Sequence, residues 1–320
     1  MRILLVVNSF ASSVTARNMV IVHRALSRGH DVQLVETNRR GHATRYAQDA
    51  AYRGLDLVVS FGGDGTLNEV ATGVAGTETA LAVLPGGSTN VFARTIGLPN
   101  DPVAASELLV TALESPERTI RPIGLGRVNG RFFCFHTGVG YDAAVVRTVE
   151  ERAYLKRWAG HPLFIYAALH TWLAKYDRKK PHFSVAADTS IGGHGTDGTP
   201  GLGAKFVHDG FFTIVMNTNP YTFLGNRPLD LSPHATLDRP LVAITFRTMS
   251  ARAIVSSLAG ALRGGGITPN EHVAVFDEVH ELVVEGTAPF PYQVDGDYLG
   301  ETSRLHFRHV PEAVRLVFPA

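Results

Sequence analysis

Val58-Val59-Ser60-Phe61-Gly62-Gly63-Asp64-Gly65-Thr66-Leu67-Asn68-Glu69-Val70 is the stretch that decides how this chain is read. An apolar run breaks at two glycines, an acid and a third glycine, then resumes at helical spacing, which predicts a strand, a tight turn and a helix. Glycines directly after a strand let the backbone approach a phosphate with no Cβ in the way, and amides of the turn and the helix start can bind its oxygens. A carboxylate in such a place would repel phosphate if it met it directly. Asp64 makes sense if it acts through Mg²⁺ or holds a nucleotide and the reacting groups in line. The plainer reading is a strand-to-helix turn that uses Asp64 as a helix cap.

The same alternation extends to both sides. Upstream, Ile3–Val7 reads as a buried strand, Thr15–Arg28 as a helix stopped by Gly29, Val32–Glu36 as a strand and Ala43–Arg53 as a helix ended by Gly54, before the strand Leu55–Phe61. Downstream come a helix from Leu67 to about Val74, a strand at Ala80–Leu84, a second glycine turn, Leu84-Pro85-Gly86-Gly87-Ser88-Thr89-Asn90, and a helix near Asn90–Ile96. This β-α-β-α-β order predicts an open parallel sheet with helices on both faces, whose ligands bind at the carboxyl ends of the strands, where both glycine turns fall. Neither turn continues into Gly-Lys-Ser/Thr and neither is a GxGxxG, so a phosphate would be handled without a Walker lysine.

Beyond about Gly124 the texture changes to short strands: Arg131–His136, His182–Ala187, Lys205–Val207, Phe211–Asn217, Leu241–Thr248, Leu282–Glu285, Gln293–Val294 and Arg304–Phe307. Turn signals at Asn129-Gly130, Asp209-Gly210 and Asp295-Gly296 separate several of them, which predicts an antiparallel β domain, a sandwich. Two helical stretches interrupt it, about Asp142–Tyr176 with a break at Gly160-His161-Pro162, and Ala251–Leu262; Ile191–Gly203 reads as a surface loop. The expected organisation is a nucleotide domain over 1–124, with the tail 308–320 packing back on it, and a β domain over 125–307.

The composition fits. A chain of 320 residues with 45% hydrophobic and 18% charged residues can fill two cores. Its formal charge of +1 argues against a nucleic-acid partner. The 14 histidines are scattered with no zinc-ligand spacing, and Cys134, the single cysteine, permits no intrachain disulfide and suits a reducing compartment. The start, Met1–Asn8, reads as a core strand rather than a signal segment. No apolar run approaches the roughly 18 residues of a membrane span.

The quoted stretch resembles the nucleotide-binding signature of the diacylglycerol kinase catalytic-domain family, which groups bacterial diacylglycerol kinases with sphingosine and ceramide kinases. The resemblance extends over nearly the whole chain: Val7-Asn8-Ser9, Glu36-Thr37 with Gly41-His42-Ala43, Leu84–Arg94, Thr137-Gly138-Val139-Gly140-Tyr141-Asp142-Ala143 and Val294-Asp295-Gly296-Asp297 are each similar to a family segment. It implies a Rossmann-like first domain of the kind shared with NAD kinase, and a β-sandwich second domain. It implies ATP with Mg²⁺, the nucleotide contacting Asn8, Thr37, Gly62, Gly63, Asp64, Gly65, Thr66, Leu67, Asn68 and Ser88. Asp297 would be the general base and Asp295 would support the catalytic magnesium, with reaction in the cleft between the domains. Three positions depart from the pattern. Ser88 stands where Thr is common, Val91 where Asp is common, and Asp297 where Glu is usual. The structural magnesium of bacterial members would fall near Asp238, whose neighbours include Arg239 and lack the usual acids.

The implied activity is phosphorylation of a diacylglycerol hydroxyl, with a sphingoid base, ceramide or monoacylglycerol as alternative acceptors. An NAD kinase and a nucleotide- or lipid-binding protein with an impaired base are the rival readings. The implied setting is the cytoplasm with transient contact at the inner face of the membrane, and a homodimer stays open. For that contact the helical insert offers Leu155, Trp158, Leu163, Phe164, Tyr166, Leu169, Trp172 and Leu173 among Lys156, Arg157, Lys175, Arg178, Lys179 and Lys180; the bland alternative is a helix packing its apolar side on the β domain.

Overall fold

A computed structural model describes residues 1–151, 166–190 and 204–319. The chain divides into two compact units, Met1–Leu125 with Val310–Ala320, and Gly126–His309.

In the first unit β1 (Arg2–Val7), β2 (Asp31–Glu36), β3 (Leu57–Gly62) and β4 (Ala80–Pro85) form a parallel sheet in the order β4-β3-β1-β2. β3 and β4 are buried along their whole length, which is why they read as unbroken apolar runs, whereas β2 at the edge is largely exposed. The chain steps one way from β1 to β2 and then back past β1 to β3. Right-handed crossovers therefore put α1 (Ala16–Leu26) on one face and α2 (His42–Tyr52) and α3 (Asp64–Val74) on the other. The packing agrees: α2 lies against α3, and α1 against α5 (Pro102–Leu113). The order reverses between β1 and β3, the topological switch point of this sheet.

Sequence reading passed over α5, although Asp101 caps it by accepting from the Ala104 amide at 2.8 Å and Pro102 fills its first turn. The short α4 (Val91–Thr95) and α6 (Pro116–Thr119) complete this unit's helices, and Leu316, near the end of the chain, pairs in parallel with Leu81 of β4.

The second unit is built on antiparallel strands. β7 (His136–Gly140), β10 (Phe212–Met216), β13 (Leu241–Phe246) and β14 (Val273–Val279) pair in the order β14-β13-β10-β7, and β15 (Glu281–Val294) follows β7. β15 is long enough to serve two neighbours, pairing with β7 through Tyr292–Val294 and with β8 (Phe183–Asp188) through Glu281–Glu285. β9 (Lys205–Gly210) adds to β8, β5 (Ile120–Val128) pairs with β6 (Arg131–Phe133), and β16 (Asp297–Val317) pairs back along β15. The hairpin of β11 (Thr222–Leu224) and β12 (Arg227–Leu229) stands apart as a sheet of its own.

The alternation of β10 and β13 builds two cores. Val215, Leu241 and Ala243 face a core completed by Val185, Val207, Phe276, Leu282 and Phe307, so β8 and β9 lie across it from β13 and β14. Phe212, Ile214, Met216, Val242, Ile244 and Phe246 face the other core, which Ile254 and Leu258 of α8 (Ala251–Leu262) and Trp172 help cover. Both faces are dry, so Thr213 and Thr245 satisfy each other, Oγ1 to Oγ1 at 3.0 Å.

Several predicted elements change shape. Arg131–His136 is not one strand: the chain bends at Cys134-Phe135 between β6 and β7. Leu282–Glu285 and Gln293–Val294 are parts of the single β15, and Arg304–Phe307 lies inside β16. The first helical stretch begins as α7 (Tyr141–Glu150), and residues 166–170 are helical and run into a π-helical turn, Thr171–Lys175. The break at Gly160-His161-Pro162, the loop Ile191–Gly203 with its His194, and Leu155, Lys156, Arg157, Trp158, Leu163 and Phe164 lie outside the described residues. Among those described, no helix is long and apolar enough to cross a membrane.

Candidate active site

In the first unit, four parallel strands deliver their carboxyl ends to one edge, and every residue expected to meet the nucleotide lies there. Asn8 follows β1, Thr37 follows β2, Gly62–Asn68 leave β3 and Ser88 follows β4. The loops are tied together. The Asn8 amide donates to the Phe61 carbonyl at 2.9 Å and its Nδ2 to Thr66 Oγ1 at 3.1 Å, the Thr37 amide to Val7 at 2.8 Å, and the Gly86 amide to Gly62 at 2.8 Å. Gly63 and Gly87 touch: a Cβ on Gly87 would lie 2.9 Å from the Gly63 Cα, so the two turns lie side by side because neither carries a side chain.

Asp64 is neither a simple cap of its own helix nor an open ligand. Its carboxylate crosses to the second turn, where Oδ2 accepts from the Val91 amide at 3.1 Å and Oδ1 from the Phe92 amide at 3.2 Å, capping α4. Asn90, whose side chain would be the natural cap, bonds back to Gly87 instead, donating from Nδ2 and accepting at Oδ1, both at 2.8 Å. The residue is half-buried while its carboxyl group is enclosed, and burial raises its pKa against the opposing pull of the two amides. Glu69 does the same for α2, accepting from the Gly41 amide at 2.8 Å and the Ala43 amide at 3.1 Å. Sequence reading found Gly41-His42-Ala43 without this partner, which lies 26 to 28 residues away.

The edge suits a nucleotide at one telling position. Gly65 is exposed, a Cβ there would meet no atom within 4 Å, and its backbone avoids the left-handed region, so neither packing nor conformation demands glycine. What the missing side chain leaves is open space over the first turn of α3, where the Thr66 and Leu67 amides share the Gly63 carbonyl at 3.0 and 3.1 Å and the Asp64 and Gly65 amides precede the helix ladder. Of the residues expected to bind, Gly65 and Ser88 are exposed and Asn8, Gly63 and Asp64 half-buried. Thr37, Gly62, Thr66, Leu67 and Asn68 are buried, and Leu67 belongs to the core, leaving only its backbone to offer.

In the second unit the two-residue turn Asp295-Gly296 joins β15 to β16, both residues at positive φ (48° and 84°), as a tight hairpin requires. Asp295 is 8% exposed. Its Oδ2 accepts from the Cys134 amide at 2.7 Å, and its Oδ1 from Phe135 at 3.0 Å and His136 at 3.1 Å, which explains the bend between β6 and β7. Geometry thus gives Asp295 the task of holding this bend rather than an open place for a metal. Asp297 starts β16 with its side chain 30% exposed, and its Oδ2 lies 3.6 Å from Arg131 Nη2.

Behind the turn lies a polar group that the sequence did not single out. Tyr221 donates to Asp142 Oδ1 at 2.5 Å, Gln293 Nε2 to Asp142 Oδ2 at 2.9 Å, and Gln293 Oε1 accepts from the Gly296 amide at 2.8 Å. Burial raises the pKa of Asp142 and, with the adjacent Asp142 charge, that of Tyr221. His136 packs against Tyr221 with ring centroids 4.3 Å apart and planes tilted by 35°; its buried Nδ1 has no partner among the described residues, and burial pushes its pKa down to about 3. Gly138 is obligatory, since a Cβ there would lie 1.6 Å from Asp142 Oδ2. The only advance signal was Gly138–Ala143 itself; Tyr221 and Gln293 are distant in sequence and ordinary in type.

The described residues do not form a metal centre of their own. No group of three or more His, Cys, Asp or Glu is placed to hold an ion. Asp64 and Asp295 already accept backbone amides. Asp238 is exposed beside Arg239, with a hydrogen bond from Thr236 as the main cause of its lowered pKa.

Two glycine turns side by side at the carboxyl edge of a parallel sheet, followed by an antiparallel unit, define the architecture, and comparison with known proteins gives the family. The diacylglycerol kinase catalytic domain family matches residues 2–122. A Pseudomonas aeruginosa (strain UCBPP-PA14) protein named "Probable lipid kinase YegS-like" is 30% identical over 294 residues, 91% of this chain and 86% of that protein. The Bacillus subtilis (strain 168) "Diacylglycerol kinase" is 37% identical over 115 residues, 35% of this chain and 36% of that one. A crystal structure described as a diacylglycerol kinase from Bacillus anthracis str. Sterne superposes with a TM-score of 0.68 at 19% identity, over 99% of this chain and 96% of that chain, and so shares the fold. The chain belongs to the diacylglycerol kinase catalytic-domain family of lipid kinases. A kinase of this family implies ATP as the phosphoryl donor.

Proposed function

We propose that this protein transfers the γ-phosphoryl group of ATP to the free hydroxyl of diacylglycerol, giving phosphatidic acid and ADP. The observation that carries the proposal is the glycine edge of the first unit, above all Gly65, a glycine that neither packing nor backbone conformation requires. The Bacillus subtilis relative, matched over 115 residues, supports diacylglycerol as the acceptor.

In this reading the backbone of Gly63–Thr66 and the Asn8 and Ser88 side chains hold the phosphates, while Asp64 keeps the two turns in register. The acceptor oxygen attacks the γ-phosphorus as the bond to the β-phosphate oxygen breaks, and Asp297 takes the hydroxyl proton. An alcohol of pKa far above 7 needs such an acceptor as it attacks, a contribution of about 10²–10⁴-fold. Asp295 and the Gln293–Asp142–Tyr221 chain fix the turn that presents Asp297. Mg²⁺ would arrive with the nucleotide. The setting proposed is the cytoplasm, at the inner face of the membrane.

The test is γ-phosphoryl transfer by purified protein to diacylglycerol, monoacylglycerol, ceramide, a sphingoid base and NAD. Diacylglycerol should be the preferred acceptor, and Asp297→Asn should lose nearly all turnover while still binding ATP. Phosphorylation of NAD and of no lipid would refute the acceptor; full activity in Asp297→Asn would refute the base.

A further inference from the structure

Two helical segments of the second unit turn apolar side chains outward beside cations. On the first, residues 166–175, Tyr166, Leu169 and Leu173 are 47%, 57% and 65% exposed, whereas Ala167 and Thr171 between them are fully buried, so the segment has an inner and an outer face. On α8, Val255 is 65% and Leu262 49% exposed, while Ala253 and Ala261 are buried and Ile254 and Leu258 pack inward. The two segments meet: Trp172 Nε1 donates to the Met249 carbonyl at 3.2 Å, just ahead of α8, and Trp172 covers the same core as Ile254 and Leu258.

The charge on these segments is one-sided. Arg178, with its guanidinium 4.1 Å above the Trp172 ring, leads Lys179 and Lys180 after the first segment, and Arg252 and Arg263 flank the outward residues of α8. Residues 166–182 contain one acid, Asp177, and residues 247–270 contain none. A helix face meant only for water mixes both signs and keeps leucine inside. Outward aliphatic residues fringed by Lys and Arg suit a headgroup boundary, where the chains enter the acyl region and the cations stay at lipid phosphates.

We infer that this face docks the protein on an anionic bilayer, with Leu169, Leu173, Val255 and Leu262 inserted and the five cations at the headgroups. The inference rests on the lipid acceptor proposed above: diacylglycerol stays in the bilayer, so an enzyme that takes it touches the bilayer surface. It goes further in naming the face, its inserted residues and its preference for negative lipid.

Flotation of the full-length chain with vesicles tests it, comparing phosphatidylcholine alone with a phosphatidylglycerol mixture. Wild type should float with the anionic vesicles only, and less so as salt is raised. The pairs Leu169→Glu/Leu173→Glu and Val255→Glu/Leu262→Glu, and the triple Arg178→Glu/Lys179→Glu/Lys180→Glu, should each weaken that binding about tenfold or more with melting temperature unchanged. Turnover of diacylglycerol embedded in vesicles should fall in step, and turnover of a short-chain diacylglycerol dispersed as monomers should hold. Absence of wild-type binding, or variants that bind as tightly as wild type, would overturn the inference. So would variants that keep vesicle binding but pass from dimer to monomer in sedimentation, which would give the face to a second copy of the chain. If neither diacylglycerol is phosphorylated while the binding pattern holds, the acceptor falls and the docking face stands.

Discussion

In the first unit the Asp64 carboxylate reaches a loop 27 residues downstream and caps α4 with two amide bonds; in the second, Asp295 reaches back 159 to 161 residues and gathers three amides at the bend before β7. Each acid sits beside a glycine in a turn and fastens one loop to another. They differ in how completely they are committed. Asp64 keeps part of its surface at solvent and pays for enclosure with a raised pKa, whereas Asp295 is almost wholly buried with three donors around it. In both regions the conspicuous acid organises the turn, and the accessible neighbours, Gly65 and Ser88 in one and Asp297 in the other, face outward. An acid in a turn motif can thus matter for the shape of a site without touching what binds there.

The sharpest way to break this comparison is to separate Asp297 from Asp295. Asp297→Asn should lower kcat about 10²–10⁴-fold and cost far less stability than loss of a buried carboxylate, because its ion pair with Arg131 is partly exposed. Asp295→Ala should instead destabilise the second unit by about 3 kcal/mol or more, since three buried amides lose their acceptor at about 1–3 kcal/mol each. Chemical denaturation and steady-state kinetics on the two variants distinguish the cases; equal stability losses would dissolve the distinction between organiser and base.

Acid should also divide the two regions. His136 has its folded pKa lowered from 6.5 to about 3, so between those values the unfolded chain binds the extra proton. Stability from this group is complete above pH 6.5 and is lost as pH falls, by up to about 1.4 kcal/mol per pH unit. Asp64 has the opposite sign: its raised folded pKa gives stability that is fully present below the unfolded value of 3.8 and is lost as pH rises through the folded pKa. His136→Phe, which keeps a ring against Tyr221, should flatten the acid slope of unfolding monitored over pH 6.5 to 4. An unchanged slope would place the acid sensitivity elsewhere.

A small effect of the opposite sign, a gain in stability, belongs to Gly65→Ala. With open space around it and no left-handed φ, alanine in the first turn of α3 should raise stability by about 0.5–1 kcal/mol. The same methyl group should weaken ATP binding in a titration. Stabilisation with undiminished nucleotide affinity would move the phosphates away from this turn.

Much of the first unit was legible because glycine punctuates it: Gly29, Gly54 and the two glycine turns fall at element boundaries, and buried parallel strands read as solid apolar runs. The helix α5 is announced by Asp101-Pro102, but its run Pro102–Leu113 is apolar nearly throughout and so shows no polar stripe of helical period. In the second unit the long strands broke into fragments on reading. Exposure along β15 and β16 alternates irregularly around their bulges, and Gly286–Pro289 looks like a loop when taken alone. The candidate edge could be drawn from strand ends, but the polar group behind the Asp295-Gly296 turn could not, because Tyr221, Gln293 and Asp142 come from three separate segments.

By itself the sequence determined the parallel order of the first unit, the edge on which its glycine turns fall and the family to which the chain belongs. All of these follow from local periodicity and from short motifs whose residues are neighbours along the chain. Only the tertiary structure decided which partners the carboxylates take: Asp64 with α4, Glu69 with α2, Asp295 with the bend before β7. A carboxylate accepts any amide brought within about 3 Å, and which amide that is depends on how distant segments pack.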